Sequence, residues 1–387
     1  MKGKFTRLVL ESWRNFKKVD VPLAERVFIV GPNASGKSNL LDVFRFLQEL
    51  AADGGGLTNA FQGANRGGIR SVRSLHARSK SNVKIEVAVE IGESTWIYRL
   101  VLQASGTPQK PGPAVVVEER VWDDGVDRLR RPDSKDRGDK ELLLATALEQ
   151  RSANANFRPL RDFLRSVEYN HVVPQLVRQP KVDDHSRFGK GLGTGLVEAI
   201  WGTPKKLRDR RLTRIGRALK IVLPQFENLV SETDADGRPH LRAQYTHWRQ
   251  HGGWQQESAF SDGTLRLIGL LWYLSAGEAP LLLEEPELSL HPAAVRQIPR
   301  LLASISSQFG RQVLMSTHSP ELLGDTGIDP SEVLLLRTTK DGTDVTLGSS
   351  LRELIQAAEA DLPLGPHIEA LTRPKGIEEL LSFAEEA

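Results

Sequence analysis

The sequence contains no cysteine. Disulfides, thiolate zinc sites and cysteine nucleophiles are excluded, and a reducing, cytoplasmic setting is expected. Long hydrophobic runs are also missing. The longest, Leu267–Leu274, is too short to cross a membrane. Met1–Thr6 lacks the extended apolar region that a secretory leader needs. No internal repeat and no sustained heptad pattern occur, which excludes a long coiled coil. Neither sign of charge dominates, with 52 Lys and Arg against 49 Asp and Glu and a net charge of +3. The distribution is uneven. Arg151–Lys220 holds sixteen basic residues against six acidic ones, and Leu351–Ala387 holds three against eight. The first is a basic region and the second an acidic tail.

What is present describes a globular chain. Its 387 residues, 39% apolar and 26% charged, suit two or three subdomains around a substantial core. Within it, Gly31-Pro32-Asn33-Ala34-Ser35-Gly36-Lys37-Ser38 fits the phosphate-binding pattern G-x-x-x-x-G-K-[ST] at every fixed position. Val27–Val30 before it reads as a buried strand. Leu40, Leu41, Phe44 and Leu47 after it read as one face of a helix ending near Ala51, before Gly54-Gly55-Gly56. Glycines in such a turn let successive backbone N–H groups face one anion at the positive end of the helix dipole. Lys37 would reach the outer phosphates and the Ser38 hydroxyl would bind Mg²⁺.

Short strands are expected at Phe5–Leu10, Val19–Leu23 and Arg26–Val30, and a loop region at Leu57–Ser81. Val83–Ile91 alternates apolar and polar residues, and with Thr95–Gln103, Ala114–Trp122 and a strand from Gly125 it reads as an antiparallel sheet over Val83–Arg131. A charged connector, Arg131–Lys140, follows. Glu141–Leu223 reads as helical, broken at Pro174, Pro180, Gly189–Gly195 and Pro204. Asn228–Ser231 and His240–Thr246 read as strands.

A second group of motifs lies downstream. Phe260-Ser261-Asp262-Gly263-Thr264 opens an apolar helix, with Ser261 and Asp262 where a cap belongs. Leu281–Leu283 reads as a buried parallel strand ending in Glu284-Glu285-Pro286-Glu287. Adjacent carboxylates at such a strand end are costly unless they meet a cation or do chemistry. Glu284 is expected to face Mg²⁺ and Glu285 to polarise the attacking water. Pro292 fits the first turn of the next helix. Gln312–Ser316 reads as another buried strand with His318 just past its end, placed to hydrogen-bond a γ-phosphate or its water.

In order, Gly31–Ser38, Phe260–Thr264, Leu281–Glu285 and Thr317–His318 resemble the Walker A, signature, Walker B and switch-histidine motifs of ABC-type ATPases. The subgroup resembled is the SMC/RecF/OLD-like one, often described as AAA-family ATPases. Leu8–Phe16 resembles its N-terminal strand and nucleotide-edge arm. Two positions depart from the pattern: Ser-Asp-Gly-Thr stands for Ser-Gly-Gly-Gln, and Glu284 stands for Asp.

The resemblance implies an α/β fold: a P-loop NTPase core of ABC type with an attached antiparallel β-subdomain and a helical insertion. Residues 1–140 would form the N-terminal ATPase lobe, 141–223 the basic insertion, 224–350 the C-terminal lobe and 351–387 the tail. It implies ATP and Mg²⁺ as cofactors. ATP contacts are expected from Arg14, Asn15, Gly31, Pro32, Asn33, Ala34, Ser35, Gly36, Lys37, Ser38 and Asn39, and from Ser261, Asp262 and Gly263 of a second copy. Metal contacts are expected from Ser38, Glu284 and Gln62, the last as a Q-loop residue, and catalysis from Glu285, His318 and Lys37. Two protomers would sandwich two ATP molecules.

The functional expectation is a soluble ATPase that senses or clamps nucleic acid and controls a separate effector, such as a nuclease, as in OLD-, Septu- and PARIS-like phage defence. No Toprim-like acidic cluster follows His318, so a nuclease would be another chain. Alternatives are a RecF-like repair ATPase, a transporter ATPase and a slow nucleotide-gated scaffold. Arg208, Arg210 and Arg211 are the basic residues whose reversal would test nucleic-acid binding.

Overall fold

The computed structural model describes residues 2–63, 66–74, 82–107, 109–178, 195–246, 253–373 and 376. The chain opens with β1 (Gly3–Trp13) and β2 (Phe16–Pro22), then β3 (Arg26–Val30) and α1 (Lys37–Ala51). Two short helices follow, α2 (Leu57–Gln62) and α3 (Ile69–Val72), where a loop is expected. The glycines in this stretch sit at the helix N-caps: Gly56 and Gly68 both have positive φ.

An antiparallel sheet of six strands has the order β2-β1-β4-β5-β6-β7. Its later members are β4 (Val83–Ile91), β5 (Ser94–Gly106), β6 (Pro111–Asp123) and β7 (Val126–Arg131). In β4 the alternation works as read, with Val83, Ile85, Val87 and Val89 buried. The sheet is larger than the stretch Val83–Arg131, because β1 pairs with β4 and brings β2 with it. Past it lies α4 (Ser134–Gly138), closed by an Asp133–Asp136 capping box.

Residues 141–223 are not helical throughout. They contain α5 (Arg158–Ser166), α6 (Pro174–Arg178), α7 (Leu196–Trp201) and α8 (Lys205–Val222), but also β8 (Glu168–Asn170). The breaks expected at Pro180 and over 189–194 lie outside the described residues. A small antiparallel sheet comes next, β9 (Phe226–Thr233), β10 (Pro239–Tyr245) and β11 (Trp254–Gln256), leading into α9 (Asp262–Leu274).

The second large sheet has the order β15-β14-β3-β13-β12-β8. It adds β12 (Leu281–Glu284), β13 (Val313–Thr317), β14 (Val333–Thr339) and β15 (Gly342–Leu347). β15 pairs antiparallel; the other pairings are parallel. The apolar runs of β3 and β12 are buried on both faces, as central parallel strands require. Helices α10 (Pro292–Val295) and α11 (Ile298–Phe309) cross between β12 and β13. Residues read as an acidic tail instead begin with α12 (Arg352–Glu359) and α13 (Gly365–Thr372). Leu354, Ala357, Leu364 and Ile368 anchor them in the core; 374, 375 and 377–387 lie outside the described residues.

Helix α1 lies between the two large sheets. Leu40, Leu41, Phe44 and Leu47 share one core with Phe5 and Leu8 of β1 and with Ile29, Leu282 and Leu314 of the parallel sheet. A second core covers the other face of that sheet through α9, α11, α12 and α13. A third joins α7, α8 and α9 to the small sheet.

Gln312, almost fully buried, stitches the large sheets together. Its Oε1 accepts from Phe5 N–H at 2.8 Å, and its Nε2 donates to the carbonyls of Phe5 and Ala24, both at 2.7 Å. Gln312→Ala leaves three buried backbone groups unpaired, so urea denaturation should show a loss of about 2–4 kcal/mol.

Candidate nucleotide site

The phosphate loop is held from behind by β1 and β15. Gly36 has φ of +97°, and a Cβ there would meet Asn15 Nδ2 at 2.1 Å, so only glycine fits. Asn15 Nδ2 donates to the Ser35 carbonyl at 2.9 Å and to Thr343 Oγ1 at 2.7 Å. Its Oδ1 accepts from Asn39 Nδ2 at 2.7 Å, while Trp13 Nε1 donates to the Asn39 carbonyl at 3.0 Å. Arg14 pairs with Asp42, which also receives the buried Arg66. The side chains of Arg14, Asn15 and Asn39, expected on the nucleotide, are thus engaged on the protein, and those of Asn15 and Asn39 brace the loop. Asn33 and Ala34 are exposed, Gly31 and Ser35 are buried, and Pro32 is half-buried. The Ser35 hydroxyl is buried with no partner among the described residues.

Strand register brings the acidic group to the same end. Glu284 lies level with Ser316, and Ser316 with Ile29, so the loop, both carboxylates and His318 leave adjacent strands together. Ser38 Oγ hydrogen-bonds Glu284 Oε1. Lys37 Nζ donates to the carbonyls of Gly31 at 2.9 Å and Pro32 at 3.2 Å and lies 3.9 Å from Glu285 Oε1. Glu285 has a left-handed backbone, φ +42°, a strained setting for a side-chain-bearing residue. Its Oε1 lies 3.1 Å from His318 Nδ1. Glu287 is buried behind them. Its Oε1 accepts from Thr317 Oγ1 at 2.6 Å and from His318 N–H at 3.4 Å, while Oε2 has no partner among the described residues. Burial pushes the Lys37 pKa down, with Glu285, Glu287 and Glu284 opposing it, and pushes that of Glu287 up.

Two side chains at this site are absent from the sequence reading. The Tyr169 hydroxyl donates to Glu284 Oε2, and His171 Nδ1 lies 3.7 Å from the same oxygen. Burial lowers the His171 pKa and raises that of Tyr169. Tyr169 lies on β8 and His171 just past its end, and that strand is too short and too polar to show a period of two. Gln62 is not brought here. It ends α2 and, with Leu57, Phe61, Ile69 and Ala114, lines a cavity of about 600 Å³ toward β6. No residue of the phosphate loop or of β12 lines that cavity. Its helix packs between α1 and β6, and among the described residues no hydrogen bond joins Gln62 to Ser38 or Glu284.

Ser261 caps α9, accepting from Thr264 N–H at 3.1 Å. Asp262 is bound by Arg178, which also donates to the Phe260 carbonyl at 2.7 Å. Gly263 packs so closely that a Cβ would lie 2.5 Å from the Ser289 carbonyl oxygen. Among the described residues, no hydrogen bond links Ser261–Gly263 to Gly31–Ser38.

The fold is similar to that of solved Smc heads. One, bound to the C-winged helix domain of ScpA, superposes with a TM-score of 0.55 at 16% identity over 88% of this chain and 96% of that one. Another, with an extended coiled coil and bound to the C-terminal domain of ScpA derived from Pyrococcus furiosus, gives 0.52 at 15% identity over 92% and 99%. Fold and motifs define an ABC-type, SMC-like P-loop ATPase, a class of ATP hydrolases. The energy-coupling factor transporter ATP-binding protein EcfA1 of Methanospirillum hungatei JF-1 is 27% identical over 122 residues. That match covers 30% of this chain and only 42% of the relative's length. The chain belongs to the family described as "AAA domain, putative AbiEii toxin, Type IV TA system", whose profile matches residues 26–324.

Asn15→Ala removes the brace without touching Lys37 or Ser38. Titration with a fluorescent ATP analogue should show affinity weaker by about tenfold.

Proposed function

We propose that two copies of this chain hydrolyse ATP at composite sites and that the cycle controls a separate effector in response to nucleic acid. Each site would pair Gly31–Ser38, Glu284, Glu285 and His318 of one copy with Ser261–Gly263 of the other. The observation that carries the reading is the convergence of Lys37, Ser38, Glu284, Glu285 and His318 at the carboxyl ends of β3, β12 and β13.

The chemistry follows from these positions. Backbone amides of the loop and Lys37 would hold the outer phosphates. Glu285 would orient a water toward the γ-phosphorus and take its proton, with His318 fixing the carboxylate through their contact. The oxygens of Ser38 and Glu284 are hard donors that suit a divalent cation, which when bound would neutralise phosphate charge. The amides at the start of α9 would meet the γ-phosphate of the opposite copy, and Arg178 offsets the negative charge that Asp262 brings there.

Nucleic acid is favoured by α8. Lys206, Arg210, Arg214 and Arg217 recur at helical spacing on its exposed side, and none has an ion pair among the described residues. The other arginines are spent internally. Arg208 is buried over the Trp201 ring at 4.1 Å, and Arg211 lies over Trp272 of α9 at 5.4 Å. So only Arg210 of the three arginines singled out from the sequence belongs to the free face. The opposite side of α8 packs on α9, which offers a route from a bound phosphate backbone to the start of α9. A role beside a toxic effector is favoured by the toxin and toxin–antitoxin terms of the family description. No helix among the described residues is long and apolar enough to cross a membrane.

Glu285→Gln should lower phosphate release by about 100-fold or more while ATP binding persists and the ATP-bound dimer accumulates. Lys37→Ala should abolish binding and dimerisation together in light scattering; retained turnover in Glu285→Gln would contradict the base assignment. Reversing Arg210, Arg214 and Arg217 to Glu should weaken DNA binding and reduce its salt slope by about three, read by fluorescence anisotropy. Unchanged binding would assign α8 to a solvated face or to an acidic protein partner.

A further inference from the structure

We propose that His171 is a direct ligand of the divalent cation at the nucleotide site, and that its imidazole turns the site toward a first-row transition ion, Mn²⁺ or one later in the series, over Mg²⁺. This rests on the nucleotide-site reading above and goes beyond it in naming the ion.

The argument starts from register. β8 pairs parallel with β12, and Asn170 lies level with Leu283. The next residues along the two chains are therefore His171, just past β8, and Glu284, the last of β12. His171 Nδ1 stands 3.7 Å from Glu284 Oε2, whereas Glu284 Oε1 is taken by the Ser38 hydroxyl. Glu284 Oε2 also accepts from the Tyr169 hydroxyl, so the carboxylate is held by Ser38 on one oxygen and by Tyr169 on the other, with the imidazole beside the second. Neighbouring ligands of an octahedral ion with bonds of about 2.1 Å lie about 3 Å apart, so the imidazole nitrogen, now 3.7 Å from the carboxylate oxygen, has to approach it by less than about 1 Å for the two to share an ion. His171 is a quarter exposed and remains reachable from the site.

β8 itself is firmly set. The fully buried Arg311 donates to Glu168 Oε2 at 2.8 Å and to the Ala279 carbonyl at 2.7 Å. The Tyr169 ring stacks under Arg45 at 4.8 Å while its hydroxyl holds Glu284. These contacts fix the backbone on which His171 is carried.

The donor chemistry then selects the ion. Mg²⁺ prefers oxygen ligands and gains little from an imidazole, whereas affinity for nitrogen donors rises along the first transition row from Mn²⁺. Glu284 is one methylene longer than the Asp of the resembled motif, which lets its carboxylate reach both Ser38 and the imidazole. Among the described residues, no three His, Cys, Asp or Glu side chains form a cage able to hold an ion alone. The nucleotide phosphates would have to complete the shell, so binding of ion and nucleotide should be mutually dependent.

The test uses the full chain with Mn²⁺ and a non-hydrolysable ATP analogue. Pulsed electron paramagnetic resonance should show a nitrogen coupling that changes isotope when histidine is labelled with ¹⁵N and disappears in His171→Gln. The Mg²⁺ concentration that displaces half of the bound Mn²⁺ should fall at least fivefold in that variant. Analogue binding without any histidine coupling in the unaltered chain overturns the assignment, even should the variant fail to fold. Equal displacement by Mg²⁺ in both proteins also overturns it. Failure of the analogue to bind with either ion instead brings down the nucleotide-site reading.

Discussion

Everything at the candidate site depends on the parallel register of four neighbouring strands. β3, β13, β12 and β8 run side by side and end level with one another. Ladder hydrogen bonds tie each of these strands to its neighbour, so the residues just past them are placed to within a strand spacing. Lys37 and Ser38 follow β3, His318 follows β13, Glu285 follows β12 and His171 follows β8. The charges gathered there would repel or be expensively desolvated on their own. One ion pair and several hydroxyls lower that cost: Lys37 lies against Glu285, the Ser38 and Tyr169 hydroxyls donate to Glu284, and that of Thr317 donates to Glu287.

The segment from Arg178 to Leu274 behaves as an attachment to that frame. Its own core is distinct, yet α9 contributes to two cores at once: Leu265, Ile268 and Trp272 face the small sheet and α8, while Leu270 and Leu274 face the parallel sheet. A displacement of the small sheet is therefore felt at the start of α9. The close approach of Gly263 to the Ser289 carbonyl places that start against the loop after β12. Arg178 binding Asp262 is the local answer to a carboxylate where the resembled motif has glycine.

Legibility in the sequence followed the strength of the local signal. The phosphate loop, β3, β12 and β13 were readable because a fixed-spacing motif and short, wholly apolar runs leave few alternatives. β4 was readable because one of its faces is polar. β8 was not, since three residues carry no period, and with it Tyr169 and His171 were lost. β14 and β15 were passed over although Val333–Leu336 is a continuous apolar run, because no motif marks them. The bracing contacts of Asn15 to Ser35, Thr343 and Asn39 were not legible, because they form only once the chain has folded back on itself. Gln62 was singled out for its place in the chain, and the structure sets it at the end of α2, facing a cavity toward β6.

Helix α1 has consequences for how the molecule comes apart. Of its fifteen residues only Ser38 is exposed, and the apolar ones lie in a core shared by both large sheets. Such a helix cannot fray from its first turn without uncovering Leu40 and Leu41. The amides from Leu40 onward, which bond back within the helix, are then released to solvent only when the sheets part, so their exchange is governed by global unfolding rather than by local breathing, whereas the first-turn amides before them have no intrahelical acceptor. The phosphate loop thus leads into a helix whose opening uncovers the core shared by both large sheets, whereas the helix that begins with Asp262 and Gly263 divides its apolar residues between the parallel sheet and a separate third core.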